Sequence, residues 1–122
     1  MSLIQPLDPD FPIERQIGLE VSPVVLINIF KLDKADEESF VKAWQDDADF
    51  MKRQPGFIST QLHRAIGDSP TYLNYAVWES VTDFRAAFTH PDFLAKHSAY
   101  PSSAVCTPHL FQKVGVPGIC VA

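Results

Sequence analysis

Basic charge is in short supply in this chain, and none of it is clustered. Ten Lys and Arg stand against fifteen Asp and Glu, for a net charge of −5. Without a basic run or stripe, nucleic acid is not an expected partner. No apolar stretch approaches the roughly 18 residues that a membrane-spanning helix needs, and no basic segment followed by an apolar one opens the chain. A cytoplasmic protein without a membrane partner is expected. Cysteine is equally scarce. Cys106 and Cys120 form no CxxC pair, and no His or Cys stands at zinc-finger spacing from either. Two reduced thiols are the default reading, with a bridge between them as the alternative. Neither has an activating neighbour in sequence, so neither reads as a nucleophile. The five glycines build no phosphate-cradling loop after a strand, and no dense set of His, Asp, Glu and Cys occurs. Flavin, nicotinamide and metal are therefore not expected.

The chain does have length for one domain and ample large apolar side chains. Its 122 residues include nine Phe, three Tyr and two Trp. Residues 1–23 form an arm in which Pro6, Pro9, Pro12 and Pro23 forbid a regular helix, while Leu3, Ile4, Leu7, Phe11, Ile13, Ile17 and Leu19 are apolar. Such an arm docks on its own domain or on a partner subunit, and Ile13–Val21 could make an edge strand. Residues 24–114 carry the domain, and 115–122 form a tail. Val24–Phe30 is apolar and β-branched apart from Asn28, as in a central strand. A helix follows, with Asp36 as a cap, Glu37 and Glu38 at its positive end, and Phe40, Trp44, Ala48 and Met51 as its buried stripe. Trp44 reads as core. Pro55-Gly56 stops this helix.

Phe57–Ile66 and Thr71–Glu79 read as a hairpin about the turn at residues 67–70. Ser80 and Asp83 resemble a helix-starting cap, with Phe84 and Phe88 on one helix face. Pro91 starts another turn through Phe93, Leu94 and His97, and residues 109–114 make a last strand. Strand-helix-strand-strand-helix-strand is the split βαβ, ferredoxin-like order with an antiparallel sheet, an α+β fold. Both helices cover one face. The other carries Val25, Ile27, Leu73, Tyr75 and Val77, and a second copy of the sheet is its simplest cover. A homodimer is expected.

The most informative stretch is Tyr72-Leu73-Asn74-Tyr75-Ala76-Val77-Trp78. Alternation puts Tyr72, Asn74, Ala76 and Trp78 on one face. An amide and an indole four residues apart can both aim a donor into an apolar space. A strand built for packing alone would use Val or Ile there, although Trp is a common core residue and an Asn can be satisfied by backbone. If Ile66 faces Thr71 across the turn, His63 lies opposite Asn74 on the same sheet face. His63 is then the candidate base, and its bland alternative is a polar residue on a half-exposed strand.

Val24-Val25-Leu26-Ile27-Asn28, Gln54-Pro55-Gly56-Phe57, Val77-Trp78-Glu79-Ser80, Phe84, and His90-Pro91-Asp92-Phe93 with His97 together resemble the antibiotic biosynthesis monooxygenase domain over about residues 23–114. The resemblance implies a dimeric α+β barrel of ferredoxin-like subunits. Its members include cofactor-free monooxygenases of aromatic polyketides, quinol oxygenases and haem-degrading monooxygenases. The polyketide enzymes carry a pocket Asn and Trp four apart on the third strand, matched by Asn74 and Trp78. They carry a Tyr six residues after the Trp, where this chain has Phe84. The haem-degrading branch uses a first-strand Asn, a second-helix Trp and a later His. Asn28 and His97 match the first and last, and Ala87, beside Phe88, stands at the Trp position.

The resemblance implies a small aromatic substrate and O2, with no cofactor, or with haem in the alternative branch. An electron-rich anthrone or phenol that loses a proton can itself reduce dioxygen. The protein then supplies a base, donors to the developing oxyanion and a dry cavity. The expected site is catalytic Asn74, Trp78 and His63, with Tyr72, Phe84, Phe88, Asn28 and His97 binding substrate. The alternative of another class is a protein that binds a small aromatic ligand without turnover.

Overall fold

A computed structural model describes residues 4–122; residues 1–3, with Leu3 of the arm, lie outside the described part. Four strands, β1 (Val24–Lys31), β2 (Phe57–Arg64), β3 (Thr71–Trp78) and β4 (Val105–Phe111), form one sheet in the order β2-β3-β1-β4. Every pairing is antiparallel. The helices are α1 (Ile13–Gln16), α2 (Glu37–Met51), α3 (Val81–Phe88) and α4 (Pro91–Ala95). The ferredoxin-like α+β fold expected from the sequence is the one observed.

The arm departs from its expected strand. Ile13–Gln16 is a helical turn that buries Ile13, because Ile13 and Ile17 meet the core at helical spacing rather than by alternation. The arm nevertheless docks on its own domain. Gln5 N–H donates to the Cys106 carbonyl at 2.8 Å, and the Gln16 side chain pairs with both backbone groups of Leu110. Those bonds cap the β4 edge, which would otherwise leave a row of unpaired donors and acceptors. Pro108 sits within β4, a position that a proline tolerates because β4 is an outer strand.

Local chemistry sets the helix ends. The Ser80 hydroxyl accepts from Asp83 N–H at 3.0 Å and starts α3 as expected. His90 Nδ1 accepts from Asp92 N–H at 3.0 Å ahead of Pro91, starting α4. Asp36 makes no side-chain cap to α2. A 3-10 turn over Lys34–Asp36 leads into the helix instead, and the Asp36 carboxylate accepts from the Ser103 hydroxyl at 2.7 Å. Gly56 has φ +85°, and a Cβ there would run into the Asp83 side chain, so the stop after α2 requires glycine on two counts.

Two apolar clusters fill the space between sheet and helices. One joins Val24, Leu26, Ala76, Trp78, Val81 and Phe84. The other joins Phe30, Leu32, Phe40, Tyr72 and Ala104. On the inner face of β3 the order is Tyr72, Asn74, Ala76, Trp78, so the polar residue falls where one cluster gives way to the other. The outer sheet face presents Val25, Ile27, Leu73 and Val77 half-buried and Tyr75 exposed.

Candidate functional site

Asn28 and Asn74 stand directly opposite each other on β1 and β3. Directly paired residues share a face with their Cβ atoms about 5 Å apart, so two primary amides sit side by side in the middle of the sheet. Asn74 is 9% exposed. Its Oδ1 accepts from the Thr60 hydroxyl at 2.5 Å. That bond occupies the amide oxygen and leaves the Nδ2 donors for another partner. Asn28 Oδ1 is buried and has no partner. An unsatisfied buried carbonyl costs on the order of 1–3 kcal/mol, and an apolar residue of similar size would avoid that cost.

These amides line a cavity between the sheet and helices α2, α3 and α4 that encloses about 560 Å³ of empty space, counting its open side. Its mostly apolar lining with a few convergent polar groups is the chemistry of a small-molecule site. One end is an aromatic box. Trp78, 1% exposed, takes Phe57 edge-on at 5.4 Å and Phe84 edge-on at 5.7 Å, and Phe84 stacks on Phe88 at 5.1 Å. An adjoining lobe shares Asn28, Phe88 and Phe93 and adds Ile4, His97 and Cys106. His97 takes the Phe93 ring edge-on at 4.7 Å, and burial lowers its pKa, which favours the neutral imidazole. Burial pushes the Cys106 thiol up to about 11, so it stays protonated at neutral pH. Both cysteines are free.

Both parts of the cavity are lined by Asp47 from α2. This carboxylate is 7% exposed, and its Oδ1 is buried without a partner. Burial raises its pKa to about 6, against the smaller opposing pull of the Tyr100 hydroxyl and the Lys96 ammonium.

The sequence pattern of the antibiotic biosynthesis monooxygenase family matches residues 23–99. The chain belongs to the antibiotic biosynthesis monooxygenase family. Within it, a deoxynogalonate monooxygenase from Streptomyces nogalater is 31% identical over 94 residues, covering 77% of this chain and 79% of that protein. The crystal structure of SnoaB, a cofactor-independent oxygenase from Streptomyces nogalater, aligns with a TM-score of 0.70 at 28% identity, covering 80% of this chain and 99% of that one. An asparagine-to-alanine variant of SnoaB aligns with the same TM-score of 0.70 at 27% identity over 80% of this chain and 99% of that chain.

Against this family background, six of the eight residues expected at the site lie on the cavity: Asn28, Asn74, Trp78, Phe84, Phe88 and His97. His63 does not. It pairs with Leu73, and Leu62 stands opposite Asn74. The loop is one residue longer than assumed, because Ala65 rather than Ile66 meets Thr71, through a 2.8 Å bond from Ala65 N–H to the Thr71 carbonyl. A slip of one residue turns every side chain to the other face. His63 is therefore exposed, with its Nδ1 at 3.1 Å from the Gln61 carbonyl. A bulge between Phe57 and Ser59 then restores Phe57 to the inner face. Tyr72 is also not a wall of the cavity. It shares the inner face but lies in the second cluster, packed on Phe40 at 4.9 Å, and its hydroxyl donates to Glu37 Oε1 at 2.7 Å.

Asp47, Thr60 and Trp44 were missed as cavity residues. The buried stripe of α2 is Phe40, Ala43, Asp47 and Phe50, rotated from the expected Phe40, Trp44, Ala48 and Met51. The rotation brings Asp47 inward and leaves Trp44 partly exposed on the cavity rim. A carboxylate at i+7 from a buried Phe was the available signal.

Proposed function

We propose that this chain is a cofactor-independent monooxygenase that oxidises an electron-rich aromatic, of the polyketide-anthrone or quinol type, with O2. The observation that carries this reading is the amide pair Asn28 and Asn74 in a mostly apolar, aromatic-rich cavity, one amide held by Thr60 and the other with an unmatched carbonyl. It agrees with the cofactor independence stated for SnoaB.

The chemistry follows from the residues. A planar ring lies against Trp78 and Phe84. Asn74 Nδ2 donates to the substrate oxygen on which charge develops, and Asn28 Oδ1 accepts from a neighbouring hydroxyl. The activated CH2 of an anthrone loses a proton to a base, leaving a delocalised carbanion. The carbanion gives one electron to O2, and the radical and superoxide combine into a peroxide. Protonation and loss of water leave the ketone, so CH2 plus O2 becomes C=O plus H2O. The apolar walls exclude bulk water from the carbanion.

A ligand-binding role without turnover is favoured by one observation: the wall position that carries a Tyr in the polyketide enzymes is Phe84, fully buried and without a hydroxyl. Haem degradation fits less well, because Ala87, packed in the first core cluster, stands where that branch has its Trp. We also read the protein as a cytoplasmic homodimer that pairs its outer sheet faces. Two free thiols suit a reducing compartment, and Tyr75, 41% exposed, lies between Leu73 and Val77 on a sheet face. Leu73→Asp should leave the chain monomeric in sedimentation, whereas a monomeric wild type at micromolar concentration removes the dimer.

Oxygen uptake by chelator-treated protein with 1,8-dihydroxyanthrone and with hydroquinones tests the oxygenase. Saturable binding without uptake would favour the binder, and a stoichiometric Soret shift on haem titration would favour the haem branch.

A further inference from the structure

With His63 on the far face of the sheet, the cavity needs another group to take the substrate's proton. We propose that Asp47 is that base, and that the same carboxyl returns the proton to the peroxide later in the cycle. This rests on the oxygenase reading above and adds the residue that moves the proton.

Geometry carries the assignment. Asp47 is the one carboxylate among the residues lining either part of the cavity, and it lines both. It is buried in the middle of α2, with Oδ1 aimed at no donor among the described residues. Burying a charge without an ion pair costs several kcal/mol; Asp47 forms no salt bridge among the described residues, and the Tyr100 hydroxyl and the more distant Lys96 offset its burial only in part. A carboxylate without an ion-pair partner, in the wall of a cavity that also holds two amides, is placed to accept a proton from whatever fills it.

The surroundings set its basicity. From beyond α4 the Tyr100 hydroxyl and the Lys96 ammonium face it, and on its own helix Asp46 opposes its ionisation. His97 and Cys106 share its lobe of the cavity, the first with its pKa lowered by burial and the second with its thiol raised. Neither is anionic at neutral pH. The outcome, with burial dominant, is a carboxyl near 6, ionised at pH 7 and a stronger base than a surface Asp. In the cycle, the carboxylate takes H+ from the substrate CH2 to give carboxylic acid and carbanion. O2 adds to form the peroxide anion, the acid returns its proton to give the hydroperoxide and regenerates the carboxylate, and loss of water from the hydroperoxide leaves the ketone. No external acid, reductant or metal enters the balance.

The test compares wild type with Asp47→Asn, using 1,8-dihydroxyanthrone with and without air. Without air, the wild type should generate the anthrone anion's absorbance on binding, increasingly as pH rises through about 6. Asp47→Asn should bind the probe with little change in Kd and form no anion. In air, its oxygen uptake at pH 7 should fall on the order of 10²–10⁴-fold. Anion formation in Asp47→Asn with the wild-type pH profile overturns Asp47 as the base and leaves the oxygenase reading standing. Anion formation that depends on Asp47 but leads to no oxygen uptake upholds Asp47 and removes the oxygenase. A wild type that binds the probe without forming the anion overturns both.

Discussion

The raised pKa of Asp47 has a thermodynamic consequence that can be measured without any substrate. The carboxyl sits near 6 in the folded protein against 3.8 in an ordinary environment. Between those values the folded state holds a proton that the unfolded chain has released, so stability must fall as pH rises through that window. The stabilisation is fully present below pH 3.8 and gone above pH 6. At about 1.4 kcal/mol for each pKa unit, the loss amounts to roughly 3 kcal/mol. Asp47→Asn keeps the shape and removes the titration. Relative to wild type, it should become progressively more stable from pH 4 to pH 7, by a difference in Tm on the order of 10 °C across the window. The assay is a pair of thermal or urea unfolding series at closely spaced pH. Because the readout is the change in the difference between two proteins, contributions from other titrating groups cancel. Two curves that stay parallel from pH 4 to pH 7 would refute a buried carboxylate with a raised pKa at this position. A variant that is more stable and less active is also the signature expected of a group kept for function.

Asn74→Ala removes the donor to the developing oxyanion and should lower kcat on the order of 10²–10³-fold with the fold intact, as followed by oxygen uptake and circular dichroism. Thr60→Val frees the amide of Asn74 from its 2.5 Å anchor and should lower kcat in the same assay by a smaller factor. Tyr72→Phe breaks the bond to Glu37 away from the cavity and should leave turnover unchanged. Gly56→Ala meets both a positive φ and the Asp83 side chain and should lower stability by roughly 1–3 kcal/mol in urea unfolding.

The architecture was legible because the strands announce themselves. Val24–Phe30 is continuously apolar with one interruption, Thr71–Trp78 alternates, and Pro55-Gly56, Ser80 and His90-Pro91 mark ends with definite backbone chemistry. The same signals located Asn28, Asn74 and Trp78. What failed depended on a single residue of phase. The face on which His63 lies turns on whether Ala65 or Ile66 closes the hairpin, and neither residue type has a conformational demand that decides it. The face on which Asp47 lies turns on whether α2 buries Ala43 or Trp44. Trp44 carries the larger apolar area, but the helix turns it to the cavity rim and buries the small Ala43. The helical turn at Ile13–Gln16 was hidden for a related reason: a four-residue element is too short for its period to separate from alternation.

The central claim is oxygenation by the polypeptide and its substrate alone, and oxygen-isotope labelling tests it most directly. Protein stripped with chelator and shown free of flavin and haem by absorbance is mixed with 1,8-dihydroxyanthrone under ¹⁸O2, with oxygen consumption and product mass recorded together. The account predicts one O2 consumed per ketone formed, with one ¹⁸O atom in the new carbonyl and the other in water. It also predicts the loss of this turnover in Asn74→Ala. No uptake, or uptake that returns only when a metal, flavin or haem is added, would contradict it.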